Sequence, residues 1–179
     1  MPLSAARHGD RLVKLFLPTL RLLICAAIGL SVYGCSREPK LDACAMLSKT
    51  DVEAILGERV DDPQPGNNTP GTKDTAAVSE CKYETAGKPP KRVSLLARVS
   101  PVADNTPEAI NQVRETLKKT GIAPLDIKDL GDVAFWGRNQ LNVFIGGNRY
   151  LIISVSGFDN DSAALKKAKA LAQKALAAP

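Results

Sequence analysis

The stretch over residues 22–35 constrains this chain more than any other, because it decides which residues fold and on which side of a membrane they do so. It reads Leu-Leu-Ile-Cys-Ala-Ala-Ile-Gly-Leu-Ser-Val-Tyr-Gly-Cys and follows Arg7, Arg11, Lys14 and Arg21. A basic region, a short apolar run and small residues ahead of a cysteine describe an export signal. The apolar run over residues 22–32 is about half of the ~20 residues a helix needs to cross the hydrocarbon core, so a cleaved signal fits it better than a permanent span.

The closing Val32-Tyr33-Gly34-Cys35 resembles the lipobox of bacterial lipoproteins, in which the cysteine receives a lipid and becomes the mature N-terminus. Gly34 supplies the small residue before the cut and Val32 an aliphatic residue two places earlier. Tyr33 is bulkier than usual, and cleavage near Gly34 without a lipid, leaving Cys35 as a thiol, is the plainer alternative. The resemblance implies a membrane partner through lipidated Cys35. Ser36 after it, rather than an aspartate, implies sorting to the periplasmic face of the outer membrane in a Gram-negative cell; in a Gram-positive cell the anchor is the outer face of the only membrane. Two or more acyl chains, at about 0.8 kcal/mol per buried methylene, hold a protein on a bilayer stably. The expected organisation is a signal peptide over residues 1–34, a lipidated polar tether over residues 35–40, and a single globular domain over residues 41–179.

Removing the signal changes the inventory. Arg7, Arg11, Lys14 and Arg21 against Asp10 carry about three of the formal +5 charges, so the remainder is near neutral and a nucleic-acid partner is not expected. The single histidine, His8, goes too. Without an imidazole, Ser-His-Asp and Cys-His catalysis, histidine-ligated zinc and histidine pH switching are excluded, and no metal or cofactor is expected. Of the four cysteines, Cys25 lies in the signal and Cys35 is the lipid acceptor, which leaves Cys44 and Cys81. In an oxidising compartment two remaining cysteines suggest a disulfide, worth roughly 3 to 4 kcal/mol for a loop of this length. A redox-active pair is the alternative, but the wide separation lacks the Cys-x-x-Cys geometry that tunes a reactive thiol.

Along the domain, Ala43, Cys44, Met46 and Leu47 form a brief helical turn. Ser48 and Asp51 resemble a capping box for a helix that buries Val52, Ile55 and Leu56 and stops at Gly57. Residues 61–75 hold Pro63, Pro65 and Pro70 among Gly66, Asn67, Asn68 and Gly71, and read as a long exposed loop. Ala77, Ser79, Cys81 and Tyr83 alternate with polar neighbours as a strand, and Val93, Leu95, Ala97 and Val99 line its hairpin partner, with Arg92, Ser94 and Arg98 facing outward. Thr106-Pro107 starts a second helix burying Ile110, Val113 and Leu117, and Gly121 ends it. Asp126, Asp129 and Asp132 lack the rhythm and terminal glutamate of a calcium loop and read as a turn before a strand. Strands are expected over residues 133–136, 141–145 and 149–155. The last, nearly continuous in apolar residues, is expected at the centre with both faces covered. A final helix starts at Asp161 or Ser162, with Leu165, Ala168, Leu171 or Ala172, Ala175 and Leu176 inward.

Four residues are candidates for contact with a partner. Trp136 beside Arg138 makes a pairing common at protein interfaces, although a tryptophan at a strand end is more often a core plug. Lys166 and Lys167, with Lys169 and Lys174, make a basic face that is either simply solvated or drawn to acidic phospholipid head groups and anionic envelope polymers.

Cys44-Ala45-Met46-Leu47-Ser48, Asp51-Val52-Glu53, Leu56-Gly57, Cys81-Lys82-Tyr83 and Gly131-Asp132-Val133-Ala134-Phe135-Trp136 together resemble a family of small bacterial lipoproteins. That family, best known from actinobacteria, has a Cys-x-Leu-Leu-Thr and Cys-x-Trp/Tyr framework. Tyr83 stands where tryptophan is common. The resemblance implies a Cys44–Cys81 disulfide and one α/β sandwich similar to the PsbP-like fold; it supplies no substrate or catalytic set.

The expected fold is α+β, one domain with an antiparallel sheet of about five strands and about three helices, ordered helix, hairpin, helix, hairpin, helix. The expected function is non-enzymatic: an exported, lipid-anchored envelope protein that binds a protein partner or another envelope component. A carrier of a small apolar ligand or lipid, held between sheet and helices, is the second expectation. A hydrolase or transferase using carboxylates with Tyr83 or Tyr150 is the third, and no spacing supports it.

Overall fold

The computed structural model describes residues 40–178. The expected signal peptide, the expected lipid acceptor Cys35 and the expected tether up to residue 39 lie outside the described residues. Within them the order is α1 (Ala43–Met46), α2 (Lys49–Leu56), β1 (Gln64–Thr69), β2 (Ala77–Glu84), β3 (Arg92–Val99), α3 (Pro107–Lys119), β4 (Leu125–Ile127), β5 (Val133–Gly137), β6 (Gln140–Ile145), β7 (Arg149–Ser156) and α4 (Asp161–Leu176).

The helix ends follow local chemistry. Ser48 Oγ accepts from the Asp51 amide and donates to the Asp51 carboxylate at 2.7 Å, and Gly57 closes α2 at a φ of 77°, a conformation that costs glycine nothing. Thr106 caps α3 with Pro107 in its first turn, and Asn160 caps α4 by accepting from the Ala163 amide. In α4 the small residues Ala164, Ala168, Ala172 and Ala175 are buried with Leu171, which lets the helix lie close against β6 and β7.

All seven strands form one antiparallel sheet in the order β1-β2-β3-β7-β6-β5-β4. Two consecutive meanders thus meet where the last strand pairs with β3, and β7 is central as its apolar run implies. One sheet face carries the main core. Leu95, Leu141, Val143, Leu151 and Ile153 pack there with Leu47, Val52 and Leu171 from α1, α2 and α4, all at most 2% exposed. Burial of each such leucine or isoleucine contributes roughly 1.5–3 kcal/mol. On the opposite face α3 covers a smaller cluster in which Ile110 and Leu117 sit with Phe135 and Phe144. Arg114 holds α3 down. Its guanidinium lies 4.3 Å from the Phe135 ring centre and pairs with Asp126 on the edge strand.

The antiparallel α+β architecture agrees with expectation, and its count does not: there are seven strands and four helices rather than about five and three. Both missing strands are sheet edges. β1 lies inside the expected exposed loop, and β4 contains Asp126 of the expected turn. An edge strand is paired along one side and exposed along the other, so it needs no apolar alternation, and it tolerates a proline that a central strand rejects. β1 accommodates Pro65 at a register shift between Pro65 and Asn68. β7 also departs from expectation. It is buried on its inward face, but Tyr150, Ile152 and Ser154 on the other are only partly covered, because α3 lies over β5 and β6 instead.

The Cys44–Cys81 disulfide is present, with a Cα–Cα distance of 5.1 Å. It is one of three links from successive inward residues of β2 to α1. Ser79 Oγ accepts from the Ala43 amide at 2.9 Å, and the Tyr83 hydroxyl donates to the Leu47 carbonyl. Burial pushes the Tyr83 hydroxyl up to about 12, and burial likewise pushes Tyr150 up to about 12.

Two outcomes are expected. Replacing Cys44 and Cys81 together by serine lowers unfolding free energy by about 3 to 4 kcal/mol in urea titrations, and adding reductant to the parent protein reproduces most of that loss. Because both raised tyrosines stay protonated longer when folded, their contribution is complete below the unfolded value near pH 10 and is lost as pH rises towards 12. Tyrosinate absorbance and loss of ellipticity should therefore rise together above about pH 10.

Candidate functional site

The half of the sheet that α3 leaves open holds a trough of about 560 Å³. Its floor follows from register. Gln64 on β1 pairs with Lys82 on β2, Lys82 with Ser94 on β3, Ser94 with Ser154 on β7, and Ser154 with Gln140 on β6. The first four line the trough, and Gln140 continues the same line beyond it, all on the face away from the main core. A second line, Glu84–Arg92–Ser156, runs beside it. Three short serines between longer Lys82, Arg92 and Glu84 make the surface concave, and Asp61 and Asp62, just before β1, form the rim.

Ion pairs fix the long side chains. Arg92 forks onto Glu84 at 3.1 and 3.2 Å, and Lys49 reaches from α2 to Asp62 at 2.8 Å. The Lys49 hydrogen bond holds the Asp62 carboxyl below the usual carboxylate range, and Asp62 in return raises Lys49. Lys82 lies 3.4 Å from Glu80 on its own strand.

The structure places the sequence-selected residues elsewhere. Trp136 is 3% exposed on the inner face, and its indole N–H donates to both Asp161 carboxylate oxygens at 2.8 and 3.0 Å. It is a core plug, with no ring face left for a partner, and the pairing with exposed Arg138 is not formed at the surface. Arg138 occupies the β5–β6 turn at a φ of 56°. Lys166 is exposed on α4, whereas half-buried Lys167 donates to the Ile55 carbonyl in the last turn of α2. Lys174 pairs with Asp51 at 3.0 Å, so part of the basic face is spent on joining α4 to α2. Asp126, Asp129 and Asp132 do not converge: Asp126 pairs with Arg114, Asp129 is in a left-handed turn conformation, and Asp132 accepts from the Gly146 amide. Among the described residues no cluster of three or more acidic, cysteine or histidine side chains is arranged to hold a metal ion, and no helix is long and apolar enough to cross a membrane.

Sequence reasoning put Arg92 and Ser94 on the outward face but did not assemble the trough. The available signal was Ser154 and Ser156, which interrupt an apolar strand at two positions of one face. Compared with protein-family models, curated proteins and solved structures, the chain matches none of them.

The Lys49–Asp62 link is separately testable. Its contribution to stability is present above the unfolded carboxylate value near pH 4 and is lost as pH falls through the lower folded value. Lys49→Ala should return the Asp62 titration midpoint, followed by carboxyl carbon NMR, towards the ordinary range.

Proposed function

We propose that this is an exported envelope protein, anchored by lipid at Cys35 on the periplasmic face of the outer membrane in a Gram-negative host. In this reading it acts by binding, not by catalysis. The observation that carries the reading is the polar trough on the open half of the sheet. It is a concave surface on regular strands, with its charged side chains already held in ion pairs, which lowers the ordering cost of binding. The occupant is a protein partner or another envelope component.

A catalytic use of the trough is less well supported. Its serines have no histidine to act as base, and the Asp62 carboxyl is shifted down, the opposite of what a general acid requires. The apolar-carrier reading is also less well supported, because the space between sheet and helices is filled by Leu47, Leu95, Leu151 and Leu171 at 2% exposure or less.

Two measurements test the proposal. Intact mass of the mature chain from membranes should show diacylglyceryl and acyl additions at Cys35; an unmodified chain starting near residue 35 refutes the anchor. A photo-crosslinking residue placed at Ser94 should give adducts in intact cells that the same residue at Lys166 does not. Equal adduct patterns at the two positions refute the trough as the binding surface.

A further inference from the structure

We propose that the trough binds a neutral, hydroxyl-rich oligosaccharide laid across the strands, an inference that rests on the trough being the binding surface. Charge balance is the first support. Arg92 is answered by Glu84, Lys49 by Asp62 and Lys82 by Glu80, which leaves Asp61 as the one further charge on the rim, so the surface presents no strong single-signed field of the kind that gathers a polyanion or a polycation.

Composition is the second. Protein-binding patches are enriched in aromatic residues, Met and Arg and depleted in Ser, Lys, Glu and Asp, and their energy sits in buried aromatic and Arg anchors. Apart from Arg92, which is already engaged by Glu84, the trough has the reverse character, with Ser94, Ser154 and Ser156 at its centre and carboxylates on its rim. Its one aromatic neighbour, Tyr83, points its ring to the other face and has its hydroxyl engaged by Leu47. Val93 and Val155 also border the trough, but their side chains are buried in the core and offer an apolar ligand no wall.

Spacing is the third. Strands lie about 4.8 Å apart, so the line Gln64–Lys82–Ser94–Ser154 repeats polar groups at that interval over about 14 Å. That interval is close to the length of one pyranose unit in an extended glycan, so successive sugars meet successive side chains. Serine hydroxyls and glutamine amides both donate and accept, which matches sugar hydroxyls that do the same.

The test titrates the full chain with two neutral probes, a β-1,4-linked N-acetylglucosamine hexamer and maltohexaose, with hexagalacturonate as an acidic probe, and with a mixed decapeptide library. Binding is read from NMR shifts of the Lys82, Ser94 and Ser154 amides. At least one neutral hexamer is expected to shift these amides at millimolar concentration or below. Ser154→Lys, which fills the floor, should weaken it at least about tenfold. Lys82→Ala, which only shortens an exposed chain, should weaken it severalfold, and Lys166→Ala on α4 should leave it unchanged. Unaltered melting of the variants confirms that they fold. If hexagalacturonate or the peptides shift the trough amides in a manner sensitive to Ser154→Lys while neither neutral hexamer does, the glycan inference is overturned and the trough survives as a binding surface. If no probe shifts these amides, or if a neutral hexamer binds equally to Ser154→Lys, the glycan inference is overturned, and crosslinking from Ser94 decides the binding surface separately.

Discussion

The structure depends on the fastening of α1 to β2. Three successive inward residues of one strand each hold the first helix: Ser79 through a hydrogen bond to Ala43, Cys81 through the disulfide to Cys44, and Tyr83 through a hydrogen bond to Leu47. A helix of four residues has almost no stability of its own, since nucleation costs more than so few hydrogen bonds return. Its position is therefore imposed by the strand. Ser79 also donates to Asn68, so the same residue that seats α1 on one side secures edge strand β1 on the other. Once α1 is seated, Leu47 fills the core and α2 follows directly, which commits this face of the sheet to the helix layer.

That commitment determines what the opposite face can be. Only α3 crosses to it, and α3 is anchored locally by Arg114, stacked on Phe135 and paired with Asp126. Phe135, Phe144 and Tyr150 form a run of adjacent aromatic rings at that end of the sheet, with Phe144 and Tyr150 stacked at 4.4 Å between centroids. The Tyr150 hydroxyl is satisfied by Asn142. One helix is enough to cover this aromatic end. The strands beyond it carry Lys82, Arg92, Ser94 and Ser154 outward, and the apolar residues on the same face, Leu96 and Ile152, are already partly covered, so the trough remains open at little energetic cost.

The parts of this architecture legible in the sequence were those set by local rules. Ser48, Thr106 and the glycines after the helices marked helix ends because capping depends on a few neighbouring atoms. Alternation marked β2 and β3 because one face of each is fully buried. The disulfide was legible by inventory once Cys25 and Cys35 were assigned to the signal. What escaped was set by partners distant in sequence. β1 reads as loop because its stability comes from hydrogen bonds to β2, not from its own side chains, and β4 is a strand of only three residues. Trp136 reads in sequence as a core plug more readily than as half of a surface pair with Arg138, and strand alternation does send the indole inward, but its partner Asp161 lies too far along the chain to be foreseen. The trough was least legible of all, since it exists only when residues from β1, β2, β3 and β7 are brought into one register.

The same fastening that orders the core also governs what the trough can hold. Lys82 lies between Cys81 and Tyr83 on β2, so this residue of the polar line is flanked in the chain by two whose side chains are locked to α1 on the reverse face. Strand β3 is paired along its full length on both sides, to β2 and to β7. A ligand recognised by many weak, water-competed hydrogen bonds gains little from each, because every contact replaces one already made to solvent. Such a ligand is retained only if the protein loses almost no freedom on binding. Rigid backbone, ion-paired long side chains and short serines with few rotamers meet that requirement. The position of the disulfide, directly behind the trough, thus bears on recognition as well as on stability.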